Sequence, residues 1–256
     1  MHCTRSNNEG TYHLKEHGVL VTVKKKVDDI FNKYFSLIQN VGEEHDSDPN
    51  VAMDISVHPS IVAIRDERVM AAQFEFNDVS MAETELILKS LDPNKATGHD
   101  QIPTCVLRDG ASVLAGPIAR LINTVIDNAF VPTEWKLAEI CPIFKRENEF
   151  EKSKYRPVSI LVLLEKVFER GVQKQLVHYF NPFLSKFLSA YRKGYSFESV
   201  SLYLIEDGKG ALDKNSVVGT VIMDVSKAFD LIPHDLLLVK LFAYGISTHN
   251  LNLVKR

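Results

Sequence analysis

The chain has little that would cross-link it, anchor it or charge it strongly. Its three cysteines, Cys3, Cys105 and Cys141, are far apart and include no Cys-x-x-Cys pair. Neither a disulfide framework nor a zinc site is therefore indicated, and a reducing intracellular setting is expected, with nucleus and cytoplasm not distinguished. No apolar run approaches the ~18–20 residues of a membrane span, and the start, Met1-His-Cys-Thr-Arg-Ser-Asn-Asn8, lacks a signal-peptide core, so no membrane partner is expected. A Gly-x-x-x-x-Gly-Lys-Ser/Thr loop is also missing, which excludes the P-loop nucleotide hydrolases. The formal net charge is only −3, in a chain of 256 residues that is 45% hydrophobic and 25% charged. That length suffices for one large or two small domains with a real core.

The small net charge conceals a local surplus. Residues 136–193 hold 12 Lys+Arg against 6 Asp+Glu, a balance of +6, while residues 1–135 hold 12 against 20. A basic block within an acidic chain is an ordinary solvated face or a surface for phosphates, and charge alone does not choose.

Apolar periodicity gives the elements. Val23, Val27, Ile30, Phe31, Tyr34, Phe35 and Ile38 fall on one face of an amphipathic helix at about 23–39, within an N-terminal extension or linker of residues 1–75. Residues 42–50 are acidic and rich in helix breakers, and residues 51–75 carry little pattern. Ser80 and Glu83 form a capping box with Val79 as a hydrophobic staple, starting a helix to about Ser90. Ile118, Leu121, Ile122, Val125, Ile126 and Ala129 form the next stripe, with Pro117 as its start. A strand ending in two cations is expected before Lys145-Arg146, and a helix from Leu164 to Asn181-Pro182.

The most informative stretch is Thr220-Val-Ile-Met-Asp-Val-Ser-Lys-Ala-Phe-Asp230. Val217–Met223 reads as a strand buried on both faces that delivers Asp224 at its end, and Pro233 with a Leu-rich run opens a helix. An Asp in that position is often only a helix cap. The whole string Met-Asp-Val-Ser-Lys-Ala-Phe-Asp, however, resembles the first catalytic motif of reverse transcriptases of non-LTR, LINE-type (jockey-like) retrotransposons. Three further stretches resemble motifs of the same family in the same order. They are Asn94-Lys-Ala-Thr-Gly-His-Asp-Gln-Ile-Pro103, Pro132-Thr-Glu-Trp-Lys through Pro142-Ile-Phe-Lys145 with Tyr155-Arg-Pro-Val-Ser159, and Ser189-Ala-Tyr-Arg-Lys-Gly-Tyr-Ser-Phe197. Departures occur at His99, Leu188, Ala190, Phe197 and Pro233.

The resemblance implies an α+β fold, the fingers and partial palm of a right-hand polymerase. Residues 76–216 would be fingers, and 217–256 the start of the palm. It implies RNA-directed DNA polymerase (nucleotidyltransferase) activity on an RNA template, a DNA primer and deoxynucleoside triphosphates. Asp224 would be the catalytic acid and, with the Val225 carbonyl, a ligand of Mg²⁺. Lys145, Arg156 and Arg192 would contact phosphate, Phe229 would act as the gate against a ribose 2′-hydroxyl, and Asp230 would serve as a structural cap. A guanidinium suits the triphosphate because it grips two oxygens and keeps its charge. The family's Pro-Gln-Gly and Tyr/Phe-x-Asp-Asp motifs do not occur, so the expectation is a domain truncated before its second carboxylate motif and inactive alone. The competing reading is a degraded retroelement-derived fragment with weak RNA binding or no function.

Overall fold

The computed structural model describes residues 12–16, 18–44, 55–67, 73–145, 147–224 and 232–255. In chain order the elements are β1 (Leu14–Glu16), β2 (Val19–Val21), α1 (Lys24–Glu44), α2 (Pro59–Glu67), α3 (Met81–Lys89), α4 (Thr104–Asp109), α5 (Ala111–Asn128), α6 (Thr133–Lys136), β3 (Glu139–Phe144), β4 (Tyr155–Ile160), α7 (Leu163–Phe180), α8 (Phe197–Leu212), α9 (His234–Ala243) and α10 (Thr248–Val254). Mixed helix and sheet agree with the α+β class. Both sheets are two-stranded antiparallel hairpins, β1 with β2 and β3 with β4. Among the described residues no helix is long and apolar enough to cross a membrane. The chain divides into two units, Met1–Gln175 together with Phe229–Arg256, and Leu176–Ala228.

The first unit is built around α5. Ala111, Ala115, Ile118, Ile122, Val125 and Ile126 recur at helical spacing and are buried with Leu88 of α3, Trp135 of α6, Leu163, Val167 and Phe168 of α7, and Leu253 of α10. Each large side chain buried in this way contributes about 1.5–3 kcal/mol. The helix starts at Ala111 rather than at Pro117, which lies inside it. Burial of the whole apolar face of α5, Ala111, Ala115, Ile118, Ile122, Val125 and Ile126, offsets the interior proline, which by itself disfavours a helix by about 3 kcal/mol.

The start of α3 is capped as expected on one side only. Ser80 Oγ accepts from the Glu83 amide at 3.1 Å. The Glu83 carboxylate does not reach back to complete the box but takes the Lys174 ammonium of α7 at 2.7 Å. Val79 is buried, and its amide donates to Asn123 Oδ1 at 2.8 Å, which fixes the entry of the chain against α5. The end of the first unit returns to its middle. Phe74 forms a parallel bridge with Ile246, and Asn250 Nδ2 donates to Phe74 O at 3.2 Å and to Glu75 Oε2 at 2.9 Å.

A second apolar cluster lies at the N-terminal side of this unit. Leu14, Val27, Phe31 and Phe35 are buried together with Tyr155 of β4, with Tyr12, Val21, Ile30 and Tyr34 packed around them. The aromatic stripe of α1 thus covers the β3–β4 hairpin. Ile38 lies in the helix as read, within α1.

The second unit contains the end of α7, a 3₁₀ turn at Asn181–Phe183 and α8. Helix α8 opens with a complete capping box, in which Ser196 Oγ accepts from the Ser199 amide and Ser199 Oγ accepts from the Ser196 amide. None of the described residues of this unit is buried.

Two expectations are corrected. Val217–Met223 is not a strand: it carries no ladder, and Val217 and Ile222 are 98% and 91% exposed. β-Branched composition expresses a preference for a sheet, but a strand forms only where a neighbouring strand takes its N–H and C=O groups, and among the described residues none does. Secondly, Cys105 is disulfide-bonded, while Cys141 is a free thiol. Wide spacing along a chain does not bound the distance between sulfurs in the fold.

Candidate functional site

Part of the basic block of the sequence, Lys145, Lys152, Lys154 and Arg156, lies in the β3–β4 hairpin and its connection, and most of the rest lies on α7 and in the second unit. The hairpin register pairs Ile143 with Arg156 and Phe144 with Tyr155. The Lys145 amide donates to Lys154 O at 2.9 Å, which carries the pairing one step further. Side chains alternate across the pleat, so the faces follow from one anchor. Tyr155 is only 6% exposed. Its ring meets Phe31 at 5.0 Å, Tyr12 at 5.8 Å and Phe144 at 5.4 Å between centroids, and its hydroxyl donates to Glu149 O at 2.7 Å. With Tyr155 turned in, Arg156 turns out; Lys154 ends a 3₁₀ turn (Lys152–Lys154) directly before β4, and its main-chain bond with Lys145 continues the pairing and sets these two beside Arg156.

Three cations therefore stand together at this end of the hairpin. Lys154 pairs with the Glu147 carboxylate, which holds its ammonium above the ordinary lysine value. Lys145 and Arg156 are exposed, and neither side chain has a hydrogen-bond or ion-pair partner among the described residues. Two full charges without internal partners on an open strand face can grip an external anion. Lys154 was missed in the sequence, although it stands two residues before Arg156.

The Asn94–Pro103 loop is tied to the joint between β4 and α7. A Cβ on Gly98 would stand 2.8 Å from both the Val162 Cα and the Val162 nitrogen, and 3.0 Å from the Leu161 carbonyl carbon. Only a residue without a side chain admits that approach. The loop is closed by Asp100 Oδ1, which accepts from the Ile102 amide at 3.3 Å, and Gln101 takes a φ of 57°. Burial pulls the Lys166 ammonium below its ordinary value, while Glu169, Asp100 and Glu165 act in the opposite direction. His99, a departure from the motif that the loop resembles, has its Nδ1 buried without a hydrogen-bond partner among the described residues. A proline side chain has no such atom to desolvate.

Arg192 and Asp224 belong to the second unit. The guanidinium of Arg192 is occupied: Nη1 donates to Ser185 O at 3.2 Å and Leu188 O at 3.3 Å, and Nη2 to Asn181 Oδ1 at 3.2 Å. It also lies over the Tyr195 ring, 4.9 Å from the centroid. These bonds clasp the 181–196 loop, in which Tyr191 and Gly194 take φ values of 60° and 88°. Asp224 is exposed at the end of the extended Val217–Met223 segment. Val225, Phe229 and Asp230 lie outside the described residues. Among the described residues no cluster of three or more His, Cys, Asp or Glu could hold a metal ion. Asp224 is thus a single carboxylate and not by itself a divalent-ion site, which for hard cations needs several oxygen ligands.

Residues 143–256 match the family described as reverse transcriptase (RNA-dependent DNA polymerase). The match contains Lys145, Lys154, Arg156, Arg192 and Asp224. Curated proteins that the chain resembles are named as RNA-directed DNA polymerases of transposons and mobile elements. The chain is 28% identical over 144 residues to a probable RNA-directed DNA polymerase from transposon X-element of Drosophila melanogaster, covering 55% of this chain and 16% of that protein. It is 28% identical over 156 residues to the corresponding protein from transposon BS of the same species, covering 60% and 17%. To the RNA-directed DNA polymerase from mobile element jockey, also of Drosophila melanogaster, it is 25% identical over 165 residues, covering 63% and 18%. The chain thus matches over less than a fifth of the length of these curated relatives.

Proposed function

We propose that the chain carries the nucleotide-handling part of a non-LTR RNA-directed DNA polymerase, fingers followed by the start of the palm. The boundaries read from the sequence are kept, with residues 1–75 as an extension, 76–216 as fingers and 217–256 as palm. The observation that carries the reading is the outward face of β3–β4, where Lys145 and Arg156, both inside the matched segment, have no side-chain partners among the described residues. In this reading they hold the phosphates of an incoming deoxynucleoside triphosphate. Arg156 grips two oxygens as a fork, and Lys145 acts as a point charge. Asp224, with the Val225 carbonyl, is one contributor to the Mg²⁺ sphere, and Phe229 crowds the 2′ position of the sugar. Arg192 serves the same end indirectly, by clasping the loop beside the template strand. The RNA template and DNA primer are the expected partners.

The test is binding of a fluorescent deoxynucleoside triphosphate to the chain, followed by anisotropy. Triphosphate should bind more tightly than monophosphate, weaken as salt is raised, and lose about a hundredfold or more in affinity in the Lys145→Ala/Arg156→Ala variant, since each of the two charge-assisted contacts contributes ~1.5–3 kcal/mol. Equal affinity for mono- and triphosphate, or a double variant that binds like the wild type, would refute the assignment.

A further inference from the structure

The cation face is fixed from outside its own hairpin. A two-stranded hairpin is at best marginally stable alone, so something must hold it. Here the holding groups come from residues 12–37, the stretch that reads in the sequence as part of a linker. The Tyr155 ring is seated against Phe31 and Tyr12, and Phe31 stacks on Phe35 at 5.6 Å. Both strands and their connection are tied to the same stretch. The Tyr12 hydroxyl donates to Pro142 O of β3 at 3.0 Å, and the Lys15 amide donates to Phe150 O at 2.8 Å. The Lys152 ammonium pairs with Glu16 at 2.9 Å and lies 5.7 Å from the centre of the Tyr34 ring.

Tyr155 is flanked in sequence by Lys154 and Arg156, and Lys145 stands opposite Lys154. The buried ring anchors the main chain at the point between Lys154 and Arg156, so loss of its seat would leave that main chain, and the cations on it, free to shift. We infer that residues 12–37 are the seat that sets the geometry of the anion-binding face, with Phe31 as a positioning residue acting through Arg156 and Lys145. The segment is then a working part of the nucleotide site and not a tether. This inference rests on the reading of Lys145 and Arg156 as triphosphate ligands.

The experiment uses the same labelled triphosphate and the whole chain, in a cycle of Phe31→Ala, Arg156→Ala and the double variant, with Phe31→Leu as the conservative replacement. Because a small misplacement of a positioned group is costly, Phe31→Ala should weaken binding about tenfold and Phe31→Leu should recover most of it. Adding Phe31→Ala to Arg156→Ala should cost less than Phe31→Ala costs alone, since only the share carried through Lys145 remains to be lost, the non-additivity expected of residues acting as one unit. Trp135 emission, which reports the separate core around α5, should be the same in all variants. Should Phe31→Ala alter Trp135 emission, Tyr12→Phe replaces it: that change keeps the ring, removes the hydroxyl with its tie to Pro142 O and its contact with Cys141 of the same strand, and should weaken binding about threefold.

Wild-type affinity in Phe31→Ala, or in Tyr12→Phe where it replaces that variant, would overturn the inference while leaving the reading of the cations intact. So would an equal further loss when Phe31→Ala is added to Arg156→Ala. A wild-type chain that binds no triphosphate, or an Arg156→Ala variant that binds normally, would overturn the reading of the cations and this inference with it.

Discussion

Gly98→Ala isolates one close approach with opposing terms of known sign. Gly98 does not have a left-handed φ, so alanine can adopt its backbone conformation. By itself the change would then stabilise the fold by about 0.4–1 kcal/mol, through the smaller entropy of the unfolded chain. Against this stands the added methyl, 2.8 Å from two main-chain atoms of Val162 and 3.0 Å from one of Leu161. None of these is a side-chain tip that could swing away, so the joint between β4 and α7 must move as a whole. Overpacking of this kind costs about 1–3 kcal/mol and more when backbone is displaced, so the clash wins. The expected net loss is about 1–2 kcal/mol. The assay is equilibrium unfolding in urea, read from the emission of Trp135. This is the only tryptophan, buried with its ring 5.9 Å from that of Phe168 between centroids. With an m-value of about 2 kcal/mol/M, the midpoint should fall by roughly 0.5–1 M. An unchanged or raised midpoint would show that Val162 yields freely, and would refute the claim that glycine is required there.

Three further outcomes follow from particular contacts. Burial is the first cause that raises the phenols of Tyr12 and Tyr155 above their ordinary value of 10.0. Their contribution to stability is therefore complete below pH ~10 and is lost as pH rises past it, because only the unfolded chain ionises readily there. An alkaline titration should show the hairpin contact loosening above that pH, and Tyr12→Phe/Tyr155→Phe should remove that pH dependence. Gly208 lies inside α8 with nothing within 4 Å of an added Cβ. Gly208→Ala should therefore stabilise that helix by about 0.5–1 kcal/mol, visible as a higher midpoint in far-ultraviolet circular dichroism. Ser80→Ala removes the acceptor for the Glu83 amide. It should cost about 1 kcal/mol in the same urea experiment, and no loss would mean that the cap is replaced by solvent without penalty.

Much of the helical frame was legible, because helices are local. The stripes of α1, α5 and α7 recur at helical spacing, and Ser80 marks a helix start by its own side chain. What was not legible depends on partners distant in sequence. The aromatic face of α1 was visible, but nothing in residues 23–39 says that it covers Tyr155 more than a hundred residues later. Val217–Met223 has the composition of a strand, yet a strand is made by its neighbours. Pro117 looked like a helix start because its local preference is strong, and tertiary burial of the apolar face of α5 overrode it. The site was legible in a different sense. The motifs picked out Lys145 and Arg156, which share a face, and Arg192, whose guanidinium is occupied in clasping its own loop. Motif position names a residue but does not say whether its charge is free.

The return of the chain end to Phe74 also sets an order of assembly. Asn250 is 176 residues from Phe74, and its bond to Phe74 O is part of the first unit. At synthesis rates of about 5–20 residues per second, the Phe74 edge emerges roughly 10–35 seconds before the groups that close it. Helices α3, α5 and α7 can dock while the chain is still growing, because their contacts are nearer in sequence. The final closure waits until the whole of the second unit has been made, so the second unit is inserted as a loop into a partly folded first one. Long-range contacts of this kind slow folding, since loop-closure entropy must be overcome before any contact rewards it. The interval during which residues 73–76 stand open is therefore set by translation and not by the intrinsic speed of the helices.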